Sequence, residues 1–165
     1  MRFFKSILGT NLHDSIIEAE GTSEEVYAAN EDKINDAVVY EIENFESIML
    51  FNENGKLTRK ALPIEAQISP IKSTLVLDIN KDGFQDILTV GNHYGVEVET
   101  TRYDAGYGTV LLGNRNNTFN FSPPMKSGFY VPHDSRDIKY IQQNNSTLII
   151  VTNNDSSVSV FTMKS

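Results

Sequence analysis

The chain has 165 residues, enough for one domain with a buried core. It carries 22 acidic against 14 basic side chains, a formal net charge of −8, which argues against a nucleic-acid backbone or an anionic membrane as partner, since both are bound through positive patches. With no cysteine it has neither a disulfide nor a thiolate metal site, and its 39% hydrophobic content suits an all-β fold rich in polar turns.

Residues 1–20 give no firm element. Phe3, Phe4, Ile7 and Leu8 fit one helical face, and Ile16-Ile17 a short strand. The start, M-R-F-F-K-S-I-L, is basic but lacks the sustained apolar run of a signal peptide, and no stretch approaches the ~18 apolar residues of a membrane span. Thr22-Ser23-Glu24-Glu25 forms a capping box, with Thr22 as N-cap and Glu25 at N3. Tyr27, Asn30, Ile34, Ala37 and Val38 then follow helical spacing, which predicts a short helix over about 23–36. The expected organisation is an irregular or helical N-terminal segment, 1–36, and a β region, 37–165.

From Val38 the pattern is extended. Val38–Ile42 and Phe45–Phe51 read as strands, and Lys56–Leu62 as the return strand of a hairpin ended by Pro63. Between the last two, Asn54-Gly55 favours a type I′ turn, because both residues tolerate positive φ.

The stretch from Thr74 to Asn92, T-L-V-L-D-I-N-K-D-G-F-Q-D-I-L-T-V-G-N, sets several oxygen donors between two apolar runs. Asp78, Asn80 and Asp82 occupy positions 1, 3 and 5 of a loop, Gly83 position 6, Phe84 position 7 and Asp86 position 9. A calcium loop uses this spacing: side chains at 1, 3, 5 and 9 supply hard oxygens, residue 7 supplies its backbone carbonyl, and glycine allows the sharp turn. The flanks are short, branched strand-like runs, and Thr89 stands where an EF-hand requires glutamate. The reading is therefore a calcium hairpin: strand, acidic loop, strand. An Asx-rich turn without metal is the plainer alternative.

After Val90 a long connection, Gly91–Gly108, holds Tyr94, Glu97, Glu99, Arg102, Tyr103 and Asp104, the candidate ligand-binding loop. Glu97 and Glu99 would share a face if they lay on a strand. Paired carboxylates beside Arg102 can do acid–base chemistry on a polysaccharide, but an ion pair of Arg102 with Glu97, Glu99 or Asp104 is the simpler role. Thr109–Leu112 and Phe119–Phe121 are further strands around an Asn116-Asn117 turn, before Pro123-Pro124. Asp137–Ile141, Thr147–Thr152 and Ser157–Met163 make three more. His133-Asp134-Ser135 reads as a polar loop, because adjacent side chains point apart and cannot converge as a triad. The histidines show no metal-ligand spacing.

The motif D-x-N-x-D-G-x-x-D between buried strands resembles the FG-GAP or VCBS repeat, a blade unit of integrin-like β-propellers. The resemblance extends through G-N-H-Y-G-V-E-V-E-T (91–100), R-Y-D-A (102–105) and Val110–Asn114, and upstream to F-E-S-I-M-L-F-N-E-N-G-K-L (45–57) and L-P-I-E-A-Q-I-S-P (62–70). Over about 36–162 the chain looks similar to the last blades of secreted bacterial VCBS-repeat proteins. This implies an all-β fold of propeller-like blades, a partial propeller of about two to three four-stranded antiparallel blades, with calcium as cofactor. It implies a non-enzymatic module for protein or glycan interaction, outside the cell, in the periplasm or on the cell surface. A weak internal repeat supports stacked blades: L-V-L-D-I-N-K-D-G-F-Q-D-I-L-T-V-G-N and I-K-Y-I-Q-Q-N-N-S-T-L-I-I-V-T-N-N are both strand–loop–strand, the second without carboxylates in its loop. Residues 71–122 supply four strands, 137–163 three and 38–62 at least two. Such a set cannot close a propeller alone. The expectation is a piece of a longer exported propeller, or one completed by a second chain.

Overall fold

The structure, a computed structural model, describes residues 2–4, 39–41, 44–99, 101–143 and 146–163. The chain divides into two units, Met1–Phe45 and Glu46–Ser165. In the first, β1 (Arg2–Phe4) and β2 (Val39–Glu41) pair antiparallel, with Arg2 opposite Glu41 and Phe4 opposite Val39. Phe3 and Phe4 thus lie on a strand, not on a helical face. The helix expected over about 23–36 lies outside the described residues.

The second unit begins with β3 (Ile48–Glu53) and β4 (Lys56–Ala61), a hairpin with Glu53 opposite Lys56. The turn residues Asn54 and Gly55 both have positive φ, 56° and 88°, as a two-residue type I′ connection requires. A single 3-10 turn, Ile64–Ala66, follows Pro63. Four strands then form one antiparallel meander in chain order: β5 (Ile71–Leu77), β6 (Asp86–Gly91), β7 (Thr109–Gly113) and β8 (Phe119–Ser122). After a short helix, α1 (Pro124–Ser127), comes a second meander of β9 (Ser135–Gln143), β10 (Ser146–Asn153) and β11 (Ser159–Thr162).

The period of two along β6 explains how the layers stack. Ile87 points to one side, where it meets Leu111, Leu62 and Ala66, with Met49, Phe119 and Phe121 packed around them. Leu88 and Val90 point to the other side and join Leu75, Val110, Phe129, Val131, Ile138, Ile149 and Val151. The four-stranded sheet is therefore a middle layer, with the β3–β4 hairpin on one face and the three-stranded sheet on the other. Every residue from Asp86 to Val90 is buried. Each fully buried aliphatic side chain in these clusters contributes about 1.5–3 kcal/mol of transfer free energy. Gly91 and Gly113 mark the tightest approaches: a Cβ on Gly91 would run into the Pro70 carbonyl, and one on Gly113 into the Gln85 carbonyl.

The antiparallel, mostly β architecture and the strands of both meanders agree with the sequence. Among the described residues the sheets do not close into a propeller and one of them has four strands, against the two to three four-stranded blades that the resemblance implied. The shortfall has a local cause in the first layer, where Pro63 and the 3-10 turn divert the chain after one hairpin. The α1 turn was not anticipated. Pro123-Pro124 reads as the end of a strand, but proline at the first helical position is pre-set for a helix start.

Candidate functional site

In an antiparallel meander the β5–β6 loop and the β6–β7 connection fall at opposite ends of the sheet. The structure thus has two candidate sites, one at each end.

At the first end, residues 78–85 link β5 to β6. Lys81 and Gly83 adopt positive φ, 60° and 89°, which folds the loop back on itself. Its side chains are turned inward onto its own backbone. Asp78 accepts from the N–H of Asp82 (3.1 Å) and of Gly83 (2.9 Å). Asn80 Oδ1 accepts from the Asp82 N–H (3.1 Å), and Asp82 Oδ1 from the Phe84 N–H (2.9 Å). The Asn80 amide also donates to Asp82 Oδ2 at 2.8 Å. This is local Asx chemistry, in which a carboxylate replaces backbone partners at a turn.

Asp86 is placed differently. It is fully buried, and its two oxygens accept from the Ile79 N–H and the Gly113 N–H, each at 2.8 Å. One carboxylate thereby ties the loop entrance to the end of β7. Sequence spacing gives it the ninth loop position but carries no sign of the β7 contact. Among the described residues no three His, Cys, Asp or Glu side chains gather as a metal-binding group.

At the other end, Asn92 anchors the 92–108 connection. It is buried with φ of 73°, and its amide is fully used. Nδ2 donates to the carbonyls of Gly106 (2.7 Å) and His133 (3.1 Å), while Oδ1 accepts from Ser69 Oγ (2.6 Å) and the Gly106 N–H (2.9 Å). His93 and Tyr103 exchange backbone hydrogen bonds of 2.8 and 3.0 Å, which pins the loop as a narrow pair. Outside this pair the Arg102 guanidinium lies 4.6 Å from the Tyr94 ring centre and forms an ion pair with Asp104 at 3.1 Å. Tyr94 donates its hydroxyl to the Pro132 carbonyl at 3.0 Å.

Of the candidate ligand-binding residues, the structure brings together Tyr94, Arg102 and Asp104. Tyr103 is exposed opposite His93. Glu97 and Glu99 are also exposed, and Val98-Glu99 form a turn, so the two-residue spacing does not put the glutamates on one strand face. Arg102 takes Asp104 among the three acidic partners considered for it.

One group reads differently in the structure than in the sequence. His133-Asp134-Ser135 is not a solvated polar loop: Asp134 and Ser135 are both 0% exposed. Asp134 Oδ2 accepts from Arg136 Nη2 at 3.1 Å and from the Tyr94 N–H at 3.4 Å, while Oδ1 has no hydrogen-bond partner among the described residues. Ser135 Oγ donates to Asn153 Oδ1 at 2.8 Å. The two side chains bond to different partners, Asp134 to Arg136 and the Tyr94 N–H and Ser135 to Asn153. Their burial follows from the sheet-to-sheet contact, which no local pattern encodes.

The elements from β5 to the middle of β7 match a known family model, over residues 72–111. These residues are an FG-GAP repeat. The match covers the acidic loop, β6 and the 92–108 connection, and stops at Leu111 inside β7. It does not reach the wider likeness to VCBS-repeat blades over about 36–162. No curated protein and no solved structure matches the chain. The FG-GAP repeat thus contains both candidate ends, and its strands β5, β6 and β7 are three of the four in the central sheet.

Proposed function

We propose that this chain is a non-enzymatic, calcium-stabilised interaction module that presents loops at the end of a β-sheet stack to a protein or glycan, at the cell surface or outside the cell. The observation that carries the reading is the FG-GAP repeat at 72–111, a family of β-propeller-like interaction modules, here folded as an antiparallel meander with an acidic loop at one end.

The loop fits calcium by donor chemistry. Asp78, Asn80 and Asp82 offer hard oxygens and Phe84 a backbone carbonyl, the set that a calcium ion takes. Asp86 completes the motif with what its oxygens retain after accepting one N–H each, since a carboxylate has about four lone-pair sites. A bound calcium ion would offset the mutual repulsion of the carboxylates and hold the loop's ends together. The chain's own part is to fold the loop so that these oxygens face inward. The 92–108 connection, with Tyr94, Arg102, Tyr103 and Asp104, is the proposed contact surface. The exposed Tyr103 ring lies next in sequence to an arginine that covers Tyr94 and pairs with Asp104, so the loop offers an apolar ring and paired charges, which suits a sugar or a peptide side chain.

Thermal melts in EDTA and in millimolar calcium test the metal assignment. A ligand that binds only the folded state adds about 2.7 kcal/mol at a hundredfold excess over its dissociation constant. The expected result is a calcium-dependent rise in Tm that Asp82→Ala removes. An unchanged Tm in a folded protein would make residues 78–86 an ordinary acidic turn.

A further inference from the structure

The two meanders are in register with one another. In the central sheet Ile87 pairs with Leu111, and Leu111 with Phe121, so these three side chains run across β6, β7 and β8 on one face. They pack toward the preceding layer, the β3–β4 hairpin. In the last sheet Ile149 pairs with Phe161, and both pack toward the layer that precedes theirs, the central sheet. Ile149 and Phe161 therefore correspond to Ile87 and Leu111. The position of Phe121 has no counterpart, because among the described residues no strand lies beyond β11.

A groove of about 610 Å³ lies at that position. Phe161 and Met163, Leu112 of β7, Ile149 of β10 and Met125 of α1 line it. Met125 is fully exposed. The volume is within the range of about 300–1,000 Å³ that encloses small ligands or a few side chains.

The edge beside the groove also has free hydrogen-bonding groups. The Met163 N–H donates to the Thr147 carbonyl at 3.0 Å, across the Leu148–Thr162 pair. That makes Leu148–Thr162 a non-hydrogen-bonded pair, so Thr162 turns its own N–H and C=O away from β10. By the alternation of an antiparallel ladder Val160, two residues earlier, does the same. Val160 is 57% exposed.

We propose that β11 and its groove are a docking site for an extended segment of another protein chain, which adds as a fourth strand antiparallel to β11. The central sheet states the chemistry of that segment. Its own fourth strand, β8, reads Phe119-Asn120-Phe121: large apolar side chains two apart, facing the preceding layer, with a small polar residue between. A docked strand of this pattern puts two apolar side chains into the groove, and its backbone takes the N–H and C=O groups of Val160 and Thr162. Affinity in strand addition comes from such main-chain bonds, and specificity from pockets for alternate side chains. Ile79 and Asn80 of the acidic loop also line the groove, so binding is measured both in EDTA and in millimolar calcium, and the proposal requires it in at least one of the two buffers.

The probe is a fluorescein-labelled peptide with the sequence of residues 118–123, blocked at both ends, titrated against the full chain by anisotropy. Saturable binding is expected, absent for the same peptide with both phenylalanines replaced by serine. Met125→Glu places a charge in the groove from a fully exposed position, and Thr162→Pro removes an outward N–H at an edge where proline is tolerated. Each is expected to weaken binding by about tenfold or more, the scale of one lost hydrogen bond or one buried charge. Thermal melts confirm that each variant is folded, and Met125→Glu alone suffices if Thr162→Pro is not. No binding, or binding that both folded variants leave unchanged, overturns the proposal. So does a dimer in sedimentation velocity that Thr162→Pro converts to monomer, since the groove would then belong to a second copy.

Discussion

Asp86→Ala separates a structural carboxylate from a metal ligand. The wild-type side chain accepts two N–H bonds of 2.8 Å, from Ile79 and from Gly113, and is itself wholly buried. A hydrogen bond to a charged group contributes about 1.5–3 kcal/mol, and an N–H left buried without a partner costs a similar amount. The Gly113 N–H has no access to water once the acceptor is gone, whereas Ile79 is only partly buried and is rehydrated more easily. The expected loss is about 3–5 kcal/mol, a large share of the 5–15 kcal/mol typical of a domain. Urea unfolding in EDTA reads this directly. Asp82→Ala is the control, because its bonds to the Phe84 N–H and the Asn80 amide are exposed and cost only about 0.5–1 kcal/mol in the same buffer. Repeating both in calcium completes the comparison. Asp82→Ala is expected to lose mainly the calcium increment, and Asp86→Ala both the increment and the larger baseline. A loss below about 1.5 kcal/mol for Asp86→Ala in EDTA would refute the assignment of its role to backbone bonding.

Four further outcomes are expected. Asp137 is held below the usual carboxylate range, first by the Ser73 hydroxyl that donates to it at 2.7 Å and then by Lys139 at 3.0 Å. Its contribution to stability is present above the ordinary carboxylate pKa and is lost as pH falls through the depressed folded value. Carboxyl NMR titration is expected to show this low midpoint, and Ser73→Ala to raise it. Arg136→Ala strands the buried Asp134 carboxylate and is expected to cost about 2–3 kcal/mol, less than a fully buried pair because the arginine is partly exposed. Arg102→Ala breaks an exposed pair and is expected to cost under about 1 kcal/mol in the same urea series. Gly91→Ala is expected to destabilise by about 1–3 kcal/mol through the overlap with the Pro70 carbonyl, read as a lower urea midpoint at unchanged slope.

What the sequence made legible is what local chemistry encodes. Asn54-Gly55 places a hairpin, because few residue pairs accept two positive φ values in succession. Asp78, Asn80, Asp82 and Gly83 place the acidic loop for similar reasons, and the branched apolar runs on both sides of it fix β5 and β6. Most of the misses are long-range. Phe3 and Phe4 pair with residues 39–40, and nothing in M-R-F-F distinguishes a strand that far from its partner from a helical turn. Asp86 looks like one more loop carboxylate until Gly113 is seen opposite it. Asp134 looks solvated because its neighbours are polar, yet the contact between sheets buries it and leaves one oxygen without a partner among the described residues. The charged residues of 97–104 invited a pairing guess, and Arg102 took the acidic residue two positions away. The helix expected over about 23–36 falls among residues the structure does not describe.

The middle position of the four-stranded sheet has a kinetic consequence. Its two faces feed two separate clusters, so each outer layer is held to the molecule through that sheet. Loss of the β3–β4 hairpin exposes one face of β6 and leaves the other packed, and loss of β9–β11 does the reverse. Partial openings of a native protein follow such cooperative units, and amides exchange with solvent at the free energy of the smallest opening that frees them. The amides of Leu88 and Val110 should therefore be among the last to exchange, and those of Leu50 and Leu57 among the first.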